Sequence, residues 1–425
     1  MTAAATQLAR RLGTGDAVVI GLGSMIGAGV FSAFSPAAAA AGASLLIGLL
    51  LAAAVAYCNA VSSAQLAAQY PTSGGTYVYG RERLGEWWGF VAGWGFVIGK
   101  TASCAAMALT FASYAVPGSE WGRRAAAAAA VAVLTVANLR GITRTAALAR
   151  VLVAASIVAL VVIVGAILFS GNASTDGFAG LGSLEPGGVH GVLQSAALLF
   201  FAFAGYARIA TLGEEVREPE RTIPRAIPIA LGIVVVLYLI VGAAALAGAG
   251  PERLAATSAP LRAAVDAVGA TWAQPVVRAG AAVASLGALL ALIAGVGRTT
   301  LAMARNGDLP RWLASIEGRR SVPDHAEIAL GAVVIALVLT TDLRGAIGFS
   351  SFGVLVYYTV ANASAFTQSP THRRWPKGLN IIGGLACIVL IASLPRSSII
   401  AGLAIVGTGL AGRALLGRRG RATNP

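Results

Sequence analysis

The sequence predicts an all-α polytopic membrane protein with twelve transmembrane helices, two of them interrupted. Three observations predict it. Hydrophobic residues fill 57% of the 425 positions and charged residues only 11%, against about 25% charged in a soluble domain. Apolar runs long enough to cross a bilayer, which takes about 20 residues, recur from end to end. The first of these runs carries Gly21, Gly23, Gly27 and Gly29 within nine positions, although glycine costs about 1 kcal/mol at each interior helical position.

The spans fall at 17–42, 44–68, 89–116, 124–139, 148–170, 190–213, 225–249, 275–303, 326–341, 345–368, 379–394 and 397–417, the fourth, ninth and eleventh being short. The first follows Arg10-Arg11 and is too long for the apolar core of a cleaved signal peptide. Its glycines, with Ser24 among them, mark a helix that opens. An opened helix within a bilayer is tolerated only where its free N–H and C=O groups line a cavity or meet a ligand. The half-helix that restarts near Gly27 presents the positive end of its dipole, which suits a carboxylate. A glycine-rich face for helix packing is the competing reading. The sixth span repeats the feature more weakly at Phe200-Phe-Ala-Phe-Ala-Gly-Tyr206, where Gly205 is the breaker, at the corresponding place of a second half. Interrupted spans paired between two halves point to inverted repeats and a site at the midplane.

The formal net charge of +14 lies in short loops and not on one binding face, which argues against nucleic acid. With both termini placed in the cytoplasm, the outer loops hold only Arg123, Arg124, Arg253, Arg262, Arg278, Arg344 and Arg396. The inner side, including Arg140, Arg144, Arg150, Arg319-Arg320, Arg373-Arg374-Lys377 and Arg418-Arg419, carries roughly threefold more, as the positive-inside rule requires. Cys58, Cys104 and Cys387 all fall in apolar runs, so neither a disulfide nor a metal site is expected.

Two basic residues fall inside spans. Lys100 lies about eleven residues into the third, roughly 16 Å deep at 1.5 Å per residue, with no acidic residue at that depth in any span. A lone ammonium there costs at least about 2.5–3.5 kcal/mol. It must reach water or carbonyls, or give up its proton, as a proton carrier would. Arg208 follows the sixth-span break and is suited either to selecting a carboxylate or to pairing with Glu214 or Glu215.

Four motifs carry a family resemblance. They are Gly23-Ser-Met-Ile-Gly-Ala-Gly-Val-Phe31, Pro71-Thr-Ser-Gly-Gly-Thr-Tyr77, Phe201-Ala-Phe-Ala-Gly-Tyr206 followed by Glu214-Glu-Val-Arg-Glu-Pro-Glu-Arg-Thr-Ile-Pro224, and Ala302-Met-Ala-Arg-Asn-Gly-Asp-Leu-Pro310. In this order the chain resembles amino-acid permeases of the amino acid–polyamine–organocation superfamily, over about residues 10 to 370. The resemblance implies a LeuT-like fold of five-plus-five inverted repeats with two extra C-terminal helices. The corresponding divisions are a cytoplasmic tail 1–16, a first repeat 17–170, a second repeat 190–368, a terminal pair 379–417 and a cytoplasmic tail 418–425.

It further implies secondary active transport of amino acids across the cell membrane by alternating access, with no enzyme activity and no cofactor. The substrate carboxylate would meet backbone amides around Gly27, Ala28 and Gly29, with Ile26 at the break. The α-amino group would meet carbonyls of Met25, Phe201, Ala202 and Ala204, beside Gly205, with Phe203 or Tyr206 as an aromatic gate. Many relatives have an acidic residue where this chain has Ala207, followed by Arg208, and some proton-coupled relatives have a lysine where it has Ser156. Candidates for coupling are therefore Lys100, Ser156 and Ser285, which favours proton coupling or exchange over sodium.

Other classes fare worse. An intramembrane enzyme needs catalytic groups within spans, yet His190, His325 and His372 read as loop residues. A channel needs a polar pore, and a polyamine carrier, the nearest alternative, needs acids in its cavity. No phosphate-binding Gly-x-x-x-x-Gly-Lys-Ser/Thr loop is present, so the chain has no ATP-driven motor of its own. The partners expected are the amino-acid substrate, a proton as co-substrate and the lipid bilayer, with no obligate protein partner.

Overall fold

The computed structural model describes residues 12–72, 74–141, 146–316 and 322–422. Arg10, Arg11, Ser73, Arg144, Arg319, Arg320 and the last three residues, singled out above as loop or terminal features, lie outside the described residues. Among the described residues the chain is helical, with an isolated bridge between Leu12 and Val216 and no strand.

The first apolar run forms three helices, α1 (Thr14–Met25), α2 (Ala28–Ser32) and α3 (Phe34–Ala41). α1 stops where the glycines predict a break. Ile26 and Gly27 leave helical geometry, and the chain restarts at Ala28. α2 and α3 are one continuous rod, because Ala33 keeps right-handed helical angles and Ala33 N and Ala37 N donate to Gly29 O and Ala33 O. There follow α4 (Leu45–Gln69), α5 (Thr76–Leu84), α6 (Glu86–Ala115), α7 (Glu120–Leu139) and α8 (Ala146–Leu168). The second half runs through α9 (Gly188–Phe203), α10 (Ala207–Ala210), α11 (Pro219–Ala255), α12 (Pro260–Ala267), α13 (Gln274–Arg305), α14 (Asp324–Thr340), α15 (Leu343–Phe366), α16 (Lys377–Ser393) and α17 (Arg396–Ala422).

Nine helical stretches among the described residues are long and apolar enough to cross a membrane. The three predicted spans outside that set are the short ones. α14 and α16 have 17 residues each, about 26 Å at 1.5 Å per residue, less than a hydrocarbon core of about 30 Å. α7 is long enough, but its first turn carries Glu120, Arg123 and Arg124. Arg124 there donates to Val338 O and Thr341 O, at 3.0 and 3.1 Å, and so caps the end of α14. α16 is tied in by polar groups. Asn380 Nδ2 donates to Ser62 Oγ, Ser62 Oγ to Asn362 Oδ1 and Asn362 Nδ2 to Asn59 Oδ1, at 2.6, 2.7 and 2.6 Å. These buried bonds join α16 to α4 and α15, as polar side chains do in membrane interiors.

Small residues set how closely the helices approach. A Cβ on Gly353 would stand 2.6 Å from Gly95 O, and one on Gly99 3.0 Å from Ser350 O, so α6 and α15 meet nearly backbone to backbone. Ser103 and Ser350 hydroxyls close the contact at 2.6 Å. That contact fixes the rotation of α6. With Gly95 and Gly99 against α15, the stripe Phe96, Lys100, Ser103 and Met107, at helical spacing, lines the central cavity.

The three motif loops meet at one end of the bundle. Thr76 N donates to Tyr357 Oη at 3.1 Å and Tyr79 Oη to Ala210 O at 3.3 Å. Asp308, after α13, is 3% exposed and accepts from Tyr77 Oη at 2.7 Å, Arg81 at 3.0 Å and Arg413 of α17 at 2.8 Å. Burial, and then the bond to Asp308, pushes the Tyr77 phenol up to about 12, so it remains a donor at neutral pH. Arg413 also lies over the Trp87 and Phe90 rings at 4.5 and 5.2 Å.

Asp308→Ala leaves two arginines facing a buried gap, and breaking a buried pair this way costs about 3–5 kcal/mol. Glu86 pairs with the same two arginines but is 71% exposed, and Glu86→Ala should cost under about 1 kcal/mol. Melting curves of the detergent-solubilised variants should show a large fall for Asp308→Ala and little change for Glu86→Ala.

Candidate functional site

The break between α1 and α2 opens onto a cavity of about 730 Å³, within the size range of small-molecule sites. Its walls come from α1 and α2, α6, α9 with α10, and α13. It runs from the break toward the bundle end where Leu12, Gly74, Tyr77, Thr211 and Glu215 lie. At that mouth Leu12 N donates to Glu215 O at 3.1 Å and Arg217 N to Leu12 O at 2.8 Å, which stitches the segment before α1 to the segment after α10.

The two interruptions differ in kind. The first is a true opening. Gly27 N turns back to Met25 O at 2.8 Å, and the amides of Ala28 and Gly29 have no backbone acceptor among the described residues. The second is a tightening, in which α9 passes into a 3₁₀ turn at Ala204–Tyr206 and continues as the four-residue α10. One breaker in an aromatic setting narrows the helix without unwinding it. Gly205 has a different necessity. A Cβ there would lie 2.2 Å from Ser24 O and 2.6 Å from Met25 N, so it lets α9 touch the end of α1. Gly29 likewise faces Ala202, with 2.6 Å from its Cβ position to Ala202 Cα. The two breaks therefore lie against each other.

Of the residues expected at the site, Met25, Gly27, Ala28, Gly29, Phe201, Ala202, Ala204 and Gly205 line the cavity, as does Lys100. Ile26, Phe203 and Tyr206 do not. Ile26 is buried at the break. Phe203 packs on Tyr238 with centroids 5.2 Å apart, and Tyr206 stacks on Tyr358 at 5.1 Å. The aromatic rings at the cavity are Phe201, Phe96 and Tyr77. Ser156 and Ser285 also lie outside the lining. Ser156 Oγ donates to Leu152 O of its own helix at 2.8 Å, and the Ser285 hydroxyl is buried without a partner.

The carbonyls expected to receive an amine are partly engaged. Lys100, 7% exposed, donates to Ala204 O at 3.1 Å. Tyr238 Oη stands 2.6 Å from Met25 O and 3.2 Å from Ala202 O, and its single proton serves one at a time. While that proton is on Met25 O, which also accepts from Gly27 N, Met25 O has no free lone pair. Tyr238 escapes motif reading, since it is one tyrosine in the apolar run 225–249, but a lone polar tip in such a run is itself the signal. The α13 wall, with Ala288, Ala291, Leu292, Gly295, Arg298, Thr299 and Ala302, follows helical periodicity and was legible only once the facing helix was known.

His190 and His325 lie in the first turns of α9 and α14 and not in loops, both exposed. No metal-binding cluster of His, Cys, Asp or Glu occurs among the described residues.

A helical membrane protein with a central cavity at paired, touching helix interruptions has the architecture of a transporter, not of an enzyme. The chain matches the amino acid permease family over residues 12–410, and it belongs to that family. A protein of Mycobacterium tuberculosis (strain ATCC 25618 / H37Rv) named as an uncharacterized transporter is 58% identical over 98% of this chain and 94% of its own length. In Arabidopsis thaliana, cationic amino acid transporter 4, vacuolar, is 28% identical over 83% of this chain and 62% of its own length. Cationic amino acid transporter 7, chloroplastic, from the same plant, is 30% identical over 86% and 66%.

Gly205→Ala would push a methyl into the Ser24 carbonyl. Gly295, which also lines the cavity, has nothing within 4 Å of its Cβ position. Gly205→Ala should therefore markedly lower the melting temperature or abolish the monodisperse protein in size-exclusion chromatography. Gly295→Ala should leave stability unchanged or raise it by up to about 1 kcal/mol.

Proposed function

We propose that the chain is a secondary transporter that carries amino acids across the cell membrane by alternating access. One observation carries this reading: the Ala28 and Gly29 amides, at the start of the α2–α3 rod, lack backbone acceptors among the described residues and lie at a cavity wall. Buried N–H groups without partners are rare, and at a helix start they favour an anion. The carboxylate of an amino acid suits them. The α-amino group then turns to the Phe201 and Ala202 carbonyls, since Met25 O and Ala204 O are engaged by Tyr238 and Lys100.

In this reading the chain has twelve spans arranged as two inverted repeats of five, 17–170 and 190–368, with both termini in the cytoplasm. The cavity then opens inward, and motion of the repeats would close it. Lys100 is the buried amine of the cavity, which Arg208, Arg298 and Glu215 also line, and Cys104 lies one turn along its own helix. Loss or gain of its proton changes the cavity charge, which supports proton coupling or exchange. Glu215 is the one carboxylate among the described lining residues, so polyamines are poorly served.

Purified protein in proteoliposomes should accumulate or exchange amino acids, with esters and decarboxylated amines of a good substrate binding at least tenfold more weakly. Equal binding of the decarboxylated amine would defeat the carboxylate site. Transport should be unaffected when choline replaces sodium, and Lys100→Met should flatten its pH profile. Accumulation driven by a sodium gradient alone would overturn the coupling scheme.

A further inference from the structure

The charges on the cavity wall have a sign that neither the fold nor the backbone site requires. Lys100, Arg208 and Arg298 face one carboxylate, Glu215, among the described lining residues. Lys100 is almost wholly buried and rests on a neutral carbonyl, Ala204 O, 3.1 Å away. Arg208 is half-buried and donates to the Thr211 hydroxyl at 3.2 Å. None of the three cations forms an ion pair among the described residues. Arg208 lies within electrostatic reach of Arg298 and Glu215, and Arg298 also of Glu327 of α14, so the wall holds cations from three helices with few anions between them.

From this we infer that the cargo is an amino acid with a second carboxylate in its side chain, an inference that rests on the amino-acid reading above. A neutral amino acid balances its own charges at the backbone site and leaves the surplus cations of the wall unneutralised. A basic one adds a like charge beside them, which is repulsive at close range. An acidic one brings the missing anion. Arg208 offers a planar fork that fits a carboxylate through two parallel N–H bonds, and Lys100 adds a second positive charge to the same cavity wall. Glu215, within electrostatic reach of Arg208, is the group the guanidinium would leave when cargo arrives. The selectivity is opposite in sign to what the names of the plant relatives state for those proteins.

The test is uptake of labelled L-glutamate, L-alanine and L-arginine by the full-length protein in proteoliposomes, with kcat/KM measured for each. Glutamate should exceed both others by at least tenfold. Arg208→Gln should reduce the glutamate-to-alanine ratio at least tenfold, and Arg208→Lys should restore most of it, a rescue that a purely structural role would not produce. Glutamate should also raise the melting temperature of wild-type protein in detergent more than alanine or arginine does, which tests the inference even where Arg208→Gln fails to fold. Preference for arginine or alanine in the wild type, or an unchanged ratio in a folded Arg208→Gln protein, overturns the acidic cargo and leaves the permease reading standing. If no amino acid of any class is carried or bound, the permease reading falls and the charge inference falls with it.

Discussion

The structure depends on one constraint: a helix opened inside an apolar interior must still find partners for its backbone groups. α1 ends at Met25, and its last carbonyls would be stranded. Tyr238 of α11 and the amide of Gly27 take Met25 O, and Lys100 of α6 takes Ala204 O on the facing turn. The two side-chain partners come from different helices. The break is therefore held by the packing of α6, α9 and α11 around it, and those helices can only reach it because the residues between them are small.

Small size does more here than any single contact. Gly29 against Ala202 and Gly205 against Ser24 bring the two interruptions together. Gly95 and Gly99 against α15 turn α6 so that Lys100 faces inward. In a bilayer the hydrophobic effect does not drive helices together, and close van der Waals packing must do it. The alanine and glycine richness of the chain is thus a packing requirement as much as a sign of membrane residence. At one end of the bundle a different chemistry takes over. Asp308 gathers Tyr77, Arg81 and Arg413, and joins α5, the end of α13 and α17. The cavity mouth lies at the same end, so the elements that frame the mouth are tied by ionic and phenolic bonds while the site itself is framed by backbone contacts.

Much of this was legible in the sequence for a plain reason. Span positions follow from hydropathy, and nearly every helix lies where the apolar runs put it. Gly250, with φ of +72°, ends the seventh span close to its expected limit. The first break was legible because four close glycines are costly in a helix. The second was legible in place but not in kind, since a lone Gly205 among aromatics does not say whether a helix unwinds or merely tightens. Phe203 and Tyr206 show the limit more sharply. Aromatic residues at a break suggest a gate, but their side-chain direction depends on a rotation that neighbouring helices impose, and here it carries them onto Tyr238 and Tyr358.

By itself, the sequence determined the membrane class, the order of the helices, the location of the first opening and the place of Lys100 along its helix, because each follows from composition or from distance along the chain. Only the tertiary structure decided that Tyr238 holds Met25 O, that Lys100 rests on Ala204 O, that Gly29 and Gly205 are the contact points between the two breaks, and that Arg208 and Arg298 share a cavity with one carboxylate among the described lining residues. These are relations between helices far apart in the chain. They depend on the rotation and separation of packed helices, which hydrophobic periodicity leaves open and small-residue contacts settle.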